Sequence, residues 1–483
     1  MQEHQGLKIS KKSFFSSLGI LGAFMMVAGF LTKVLPVGSY ERILEEGREK
    51  IVPGSFQLFQ RPEYPFYRWF TAPIEVLFGK DQVTIIVIIL FLLFIGASFR
   101  VLDQSGILRF IMGNLVRRFE KRKYVLLGLM IFFFMSFGAL FGIFEELIIL
   151  VPMAVALAYS FGWDSLLGLG MSAMASGFGF AAAILNPFTL GVSQSIAGLP
   201  AYSGSLFRIL IFLTIYGVLY GYLTLYAKRI EKNPSYSLVY EEDRKRKEQY
   251  VRFEKNQHLE KGHLKKAVEV YGFFLLGMII LIVLGFFIPL LSGLALPLLA
   301  ILFLVASITA GTLSNYGSAK ILMKDLLGGL VAMLPAVLLI LLAMSIKHIM
   351  TEGQVMDVLL YYAAERLQGL SPYQGVVGLY VLILLLNFFV GSGSAKAFLV
   401  MPILLPLTDL LGITRQTAVQ AFLFGDGFSN LLYPTNPTLM IALGLTVVSY
   451  PKWIRWSIKI QLLIFLLSLG FLYLATRFSY GPF

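Results

Sequence analysis

Four ionisable residues stand inside stretches that are otherwise apolar: Glu145, Glu146, Lys396 and Asp426. A charge at the centre of a bilayer costs about 2.5–3.5 kcal/mol on insertion scales, so such residues face a cavity and act there. Glu145 and Glu146 are adjacent in GIFEELIIL (142–150), at the break between two apolar segments. Neighbouring carboxylates repel, so at least one takes a cation, a proton or a donor. The pair suits an ion, proton or substrate-ammonium site; a loop at the membrane surface is the plainer reading. A second break, FFVGSGSAKAFLVMP (388–402), is small and polar, with Gly391, Ser392, Gly393, Ser394 and Lys396. Glycines let a backbone approach a ligand, and free N–H and hydroxyl groups can hold carboxylate oxygens. Ser392, Ser394 and Lys396 are therefore candidates for carboxylate contacts.

Two later segments are also interrupted. AAAILNPFTLG (181–191) carries Asn186, Pro187 and Thr189; SNLLYPTNPTL (429–439) carries Ser429, Asn430, Pro434, Thr435, Asn436, Pro437 and Thr438. Proline removes a donor and leaves carbonyls unpaired, and exposed half-helix ends suit Na⁺ and anionic groups. Asn186, Thr189, Thr435 and Asn436 are expected to line the site or bind Na⁺, with Na⁺ near Asn186 and Asn436. A prolyl kink without a site is the alternative. Asp426, in LFGDGFSN (423–430), points to coupling by Na⁺ or H⁺.

The elements that must hold these residues are membrane helices. The 483 residues are 57% hydrophobic and 14% charged, against about a quarter charged in soluble domains. Runs such as 124–143, 165–207 and 270–319 hold no Asp, Glu, Lys or Arg. About 20 apolar residues span the hydrocarbon core, and the backbone there must be helical. The net charge of +13 fits basic loops facing the cytoplasm better than nucleic acid. With no cysteine, thiol chemistry and thiolate metal sites are excluded. The histidines show no metal spacing and there is no phosphate loop, so no cofactor is expected. No nucleophile–base pair argues for an enzyme. Lys8, Lys11 and Lys12 precede an apolar run at 14–32 that reads as a retained first span. Arg100 and Lys347, near span ends, are expected to snorkel.

Residues 228–266 hold twelve Lys/Arg and seven Asp/Glu and read as a solvated cytoplasmic linker. Displacing the chain by 250 positions aligns its two sides: Gly22 with Gly272, Pro152 with Pro402, Gly177-Phe178 with Gly427-Phe428, and Asn186-Pro187 with Asn436-Pro437. Shared Gly, Pro and Asn-Pro in one register indicate an internal repeat. The first half is 1–227, with a hairpin at about 124–161 and a broken helix at about 164–200. The second half is 267–483, with an extra span, a hairpin at about 373–411 and a broken helix at about 416–449. The odd span inverts the orientation of every later segment. The first hairpin would then enter from the cytoplasm beside Arg117–Lys123, and the second from outside beside Glu352, Asp357 and Glu365. The expected fold is an all-α polytopic membrane protein, an inverted-repeat transporter with two re-entrant hairpins and two interrupted helices. The N-terminus and linker would be cytoplasmic and the C-terminus outside. Ordinary span pairs at 124–161 and 373–411 are the alternative.

The strings GIFEELIILVPM, FGFAAAILNPFTLGVSQSIAGLP and GSGSAKAFLVMPILLPLTDLLGITRQTAVQAFLFGDGFSNLLYPTNPTLMIALG resemble the YfcC-like family. That family is also described as anaerobic four-carbon dicarboxylate carrier-like, within the ion transporter superfamily. The resemblance covers most of the chain and is weakest at 37–80 and in the linker. It implies scaffold helices, a mobile unit moving as an elevator, and a homodimer. Its hairpin tips match Glu145–Glu146 and Gly391–Lys396, and its unwound helices match Asn186–Thr189 and Pro434–Thr438. Where wider relatives carry Ser-Asn-Thr at a tip, this chain has Ser-Gly-Ser and Glu-Glu. Some members of the family are described as arginine/ornithine exchangers, and the acidic tip suits a cationic or zwitterionic substrate.

The expected function is therefore secondary transport across the cytoplasmic membrane of a small polar solute, foremost an amino acid, by ion coupling or antiport. A carboxylate or dicarboxylate carrier is the alternative, and an ion channel a remote one. Glu145, Glu146 and Asp426 would handle the cation or ammonium.

Overall fold

The computed structural model describes residues 11–481 apart from 46–47, 61–63, 80–81, 245–260, 289–290, 292–293 and 315–317. Nine helices among the described residues are long and apolar enough to cross a membrane. The chain is a multi-pass membrane protein.

One group of helices comprises α1 (Lys11–Val34), the short α2 (Arg68–Glu75) and α3 (Gln82–Gln104). It continues, later in the chain, with α11 (Lys261–Phe287), α12 (Ala295–Leu313) and α13 (Ala319–Glu352). Gly96 and Gly329 let α3 and α13 meet at backbone distance: a Cβ on Gly329 would fall 2.5 Å from Ala97 Cα. Small residues of this kind are how helices associate where no hydrophobic force separates protein from lipid. Arg100, expected to snorkel, donates to the half-buried Asp325 at 3.1 Å across this seam.

The all-helical expectation needs one correction. The polar stretch after α1 forms two small antiparallel ribbons, Gly38–Ser39 with Gln57–Leu58 and Arg42–Glu45 with Arg48–Ile51. They dock through Asp357, which accepts from Arg42 Nη2 at 2.8 Å and from the Tyr40 N–H at 3.0 Å.

A second group surrounds two interrupted helices. α4 (Ile107–Phe119) leads to α5 (Lys123–Phe141), a break, a 3₁₀ turn at Glu146–Leu150 and α6 (Val151–Ser160). Next come α7 (Ser165–Leu169), a π-helical stretch Gly170–Met174, α8 (Ala175–Ala182), a second π stretch Pro187–Gly191, α9 (Val192–Ile196) and α10 (Ser205–Lys232). After α13, α14 (Met356–Leu367) precedes α15 (Pro372–Asn387), a break and α16 (Gly393–Leu410). The chain closes with α17 (Arg415–Ser429), a break, α18 (Pro437–Gly444) and α19 (Tyr450–Arg477). The segment from Ser165 to Ile184 is buried apart from Phe180, as is all of α17 after Arg415. These two segments are the centre of the molecule. Glycine sets how closely the rest packs around them. A Cβ on Gly179 would lie 2.0 Å from Met135 O, and one on Gly427 would lie 2.4 Å from Ala181 Cα.

The charged linker is only partly what its composition suggests. α10 runs on to Lys232, and residues 233–244 fold back onto the helix ends; 245–260 lie outside the described residues. Ser237, Val239 and Asp243 are buried. Asp243 accepts from the Ser165 N–H at 2.7 Å and from Tyr159 Oη at 2.7 Å. Asp164 caps α7 through the Leu167 N–H and accepts from Ser237 Oγ at 2.7 Å. At the same corner Glu231 receives Trp163 Nε1 at 2.5 Å and Lys123 Nζ at 2.8 Å. The Trp453 and Trp456 rings lie 5.5 Å apart, and Tyr226 packs on Trp456. Local hydrogen bonding overrides charge content here, because buried N–H and hydroxyl groups need acceptors.

The glycine seams and the buried corner each make a measurable difference. Gly179→Leu drives a side chain into the α5 backbone and should abolish the monodisperse detergent-extracted protein on size-exclusion chromatography. Gly217→Ala, where nothing lies within 4 Å, should leave it unchanged. At the corner the variable is pH. Burial and the neighbouring Asp164 push Asp243 up to about 6, against the bonds from Ser165 and Tyr159. A carboxyl raised in the folded state adds stability below its ordinary value of 3.8 and loses it as pH rises through about 6. The lead in thermal midpoint of wild type over Asp243→Ala should therefore shrink between pH 4 and pH 7.

Candidate functional site

At the breaks after α5 and α15, Glu145, Gly391 and Ser392 are exposed, whereas Lys396 is buried. α5 ends at Gly142, in the left-handed region at φ +69°, where a Cβ would collide with Asn186 Oδ1 at 2.2 Å. Only glycine serves there. The backbone then stays non-helical to Glu145, whose side chain is exposed and hydrogen-bonded to Thr438 at the start of α18. Glu146 turns back to the backbone N–H groups of Phe144 and of its own residue. Neither carboxylate is in an ion pair among the described residues. The break after α5 thus meets the start of α18, and no ion pair among the described residues joins it to Lys396.

The second break runs through Gly391 and Ser392, both exposed. Ser392 caps α16, its hydroxyl accepting from the Ala395 N–H at 3.5 Å. Ser394 is half-buried. Lys396, one turn inside, is only 1% exposed and points away from the tip. Its ammonium donates to Asp426 Oδ1 at 2.6 Å and to Asn387 Oδ1. Asn387, the last residue of α15, is a site residue that sequence reasoning missed. Its Nδ2 donates to Ser429 Oγ at 2.7 Å and to Asn430 Oδ1 at 2.8 Å, and Asn436 Nδ2 reaches the same Asn430 oxygen at 2.9 Å. An ammonium has donors only, so Lys396 fixes which end of the Asn387 amide faces it, and the other end must face acceptors. The signal in the sequence was a lone Asn at the end of an apolar run, just before the Gly-Ser break.

Both Asn-Pro pairs are helix starts. Asn186 Oδ1 accepts from the Phe188 and Thr189 N–H groups at 2.9 and 3.2 Å. Asn436 Oδ1 accepts from the Leu439 N–H at 3.1 Å. In each case proline occupies the first helical turn, where its missing N–H costs nothing. Asn186 Oδ1 accepts two N–H groups in its cap, whereas Asn436 Oδ1 accepts one and keeps a second lone pair.

Among the described residues, Asp426 Oδ2, Thr189 Oγ1 and Thr435 Oγ1 are buried polar atoms near the breaks with no hydrogen-bond partner. Gly393 lies against the first two; a Cβ there would fall 2.8 Å from Asp426 Oδ2 and 2.5 Å from Thr189 Cγ2. An ionised carboxylate oxygen only accepts, and leaving it buried without a donor costs more than most hydrogen bonds contribute. The arrangement can take a donor or a cation at Asp426 Oδ2 beside a hydroxyl. Thr189, Gly393, Lys396, Asp426, Ser429, Asn430 and Asn436 are thus one cluster, with Glu145 and Thr438 a second. No group of three or more His, Cys, Asp or Glu side chains suited to a metal occurs among the described residues.

Residues 14–477 match the family DcuC, described as C4-dicarboxylate anaerobic carrier. The chain belongs to the DcuC family. It is a membrane transporter, not an enzyme. Among relatives of this DcuC member, YfcC of Escherichia coli (strain K12), whose name proposes a basic amino acid antiporter, is 29% identical over 484 residues, 94% of each chain. An uncharacterised Haemophilus influenzae protein is 22% identical, covering 92% of this chain and 93% of its own. Two solved structures are similar over nearly the whole chain. The Alcanivorax borkumensis YdaH transporter has TM-score 0.42 and 18% identity, covering 96% of this chain and 99% of that one. Neisseria gonorrhoeae MtrF, described with a class of antimetabolite efflux pumps, has TM-score 0.43 and 14% identity, covering 97% and 96%.

Asn387→Leu should take one acceptor from the Lys396 ammonium and one donor each from Ser429 and Asn430, at a cost of about 3 kcal/mol. Its thermal midpoint in detergent should fall far below that of Gly391→Ala, a change at an open position.

Proposed function

We propose that this DcuC-family protein exchanges a basic amino acid of the arginine/ornithine type across the cytoplasmic membrane. The observation that carries the reading is a pair of carboxylates with accepting capacity to spare: Glu145, exposed at one tip with a hydrogen bond from Thr438 and no ion pair among the described residues, and Asp426 Oδ2 at the centre, with no donor among them. A guanidinium or ammonium supplies donors to both, and carboxylate pairing with such groups is strong where water is scarce. The exposed Gly391–Ser392 tip, at the N-terminus of an 18-residue helix, offers N–H and hydroxyl donors to the amino acid's carboxylate. That same tip, with the family's description, favours a four-carbon dicarboxylate as the second reading.

The topology proposed with this function is the inverted repeat of 1–227 and 267–483, with both hairpins re-entrant. The linker and N-terminus lie in the cytoplasm and the C-terminus outside. Within a homodimer, the group around α5, α8, α15 and α17 moves as an elevator against the group around α3 and α13. The glycine seams inside each group support this division, since backbone-to-backbone contacts resist internal shear.

Counterflow in proteoliposomes tests the substrate. Vesicles loaded with arginine or ornithine should accumulate labelled arginine, and Glu145→Gln should lower the rate by about tenfold, the worth of roughly 1.4 kcal/mol. Accumulation of succinate or malate, without arginine, would move the assignment to the dicarboxylate.

A further inference from the structure

We infer that the Lys396 ammonium is a tethered counter-cation that fills the place of a mobile coupling ion, so that transport by this chain does not require Na⁺. The inference deepens the proposed function by naming its coupling, and it rests on that reading only for the existence of transport.

The surroundings of the ammonium are those of a cation site. Its nitrogen is held by Asp426 Oδ1 at 2.6 Å and by Asn387 Oδ1. Both ligands sit where the chain turns from one element into the next: Asn387 ends α15, and Asp426 lies one turn before the break between α17 and α18. Asn430 and Asn436 cross that break and lock the Asn387 amide with its oxygen toward the ammonium. Two side-chain oxygens at an interrupted helix, one of them a carboxylate, are groups a monovalent cation can use inside a membrane. Here the cation arrives on a side chain, four residues from the cap of α16.

Stability does not account for such a pair. Replacing a buried ion pair by apolar residues is commonly neutral or stabilising, while removing one partner alone is harmful. The pair is also incomplete. Asp426 Oδ2, beside Gly393 and Thr189, has no donor among the described residues. One oxygen of the carboxylate is thus satisfied permanently by Lys396 and the other is left for a guest. With the internal charge neutralised before any guest arrives, no second ion must enter with the substrate.

Cation-dependent stability tests this without any substrate. Purified wild type, Lys396→Ala and Lys396→Ala/Asp426→Asn are melted in detergent with NaCl, LiCl, KCl or choline chloride at one ionic strength. Wild type should show the same midpoint in all four salts. Lys396→Ala, which frees the Asn387 oxygen and bares Asp426, should be destabilised in choline and regain stability saturably with Na⁺ or Li⁺. The double variant should again be indifferent. In counterflow, wild type should run equally in Na⁺ and choline, and Lys396→Ala should need an added alkali cation for activity, by about tenfold. A Na⁺-specific rise in the wild-type midpoint, a wild-type rate that collapses in choline, or a folded Lys396→Ala indifferent to cations would each overturn the inference. If Lys396→Ala does not survive extraction, the two wild-type results decide it. Failure of arginine counterflow would touch the substrate reading, whereas the melting results stand apart from it.

Discussion

A buried ammonium and a buried carboxylate in contact constrain everything around them. In a low-dielectric interior neither Lys396 nor Asp426 is tolerable alone, and each dictates its neighbours. Asn387 must present its oxygen, so its nitrogen must find Ser429 and Asn430. Asn430 then draws Asn436, which is at the same time the cap of α18. Residue 393 must be glycine because Asp426 and Thr189 occupy the space where a Cβ would stand. The second hairpin, the break in the last interrupted helix and the break in the first are thereby fixed by one charge pair.

The interrupted helices obey a shared local rule. Asn-Pro ends one helical run and begins the next, the amide capping free N–H groups that proline has helped to expose. Gly142 lets α5 end against the Asn186 cap, so the first tip and the first break are set by one contact. Further out, Gln194, Ser203 and Gln416 join the far ends of the two broken segments by hydrogen bonds of about 3 Å. The central elements are bound to one another by polar atoms at both ends and by glycine contacts between.

Much of this was legible in the residues. Uncharged runs located the spans, since hydropathy measures what lipid requires. Gly, Ser and Asn-Pro located the breaks, since they act through local backbone chemistry. Tertiary partners were not legible. Lys396 reads as a tip residue by position, yet one helical turn is enough to aim it inward at Asp426. Asn387 reads as a helix end, and its importance appears only once Lys396 is beside it. Arg100 reads as a snorkelling side chain until Asp325, 225 positions later, is placed opposite. The linker misled for a related reason: a count of charges cannot distinguish Asp243, buried under hydroxyls, from its solvated neighbours.

The corner where residues 233–244 fold back has an optical consequence. Trp163, Trp453 and Trp456, three of the four tryptophans, stand there, while Trp69 is packed against Gly29 in the other helix group. Trp163 donates to an ionised side chain, and Trp456 sits among tyrosines. Indole emission depends on local polarity and on such neighbours. The ultraviolet fluorescence of the unlabelled protein is therefore weighted toward the joint between α6, α7, α10 and α19, which gives this protein a native spectroscopic reporter of that joint.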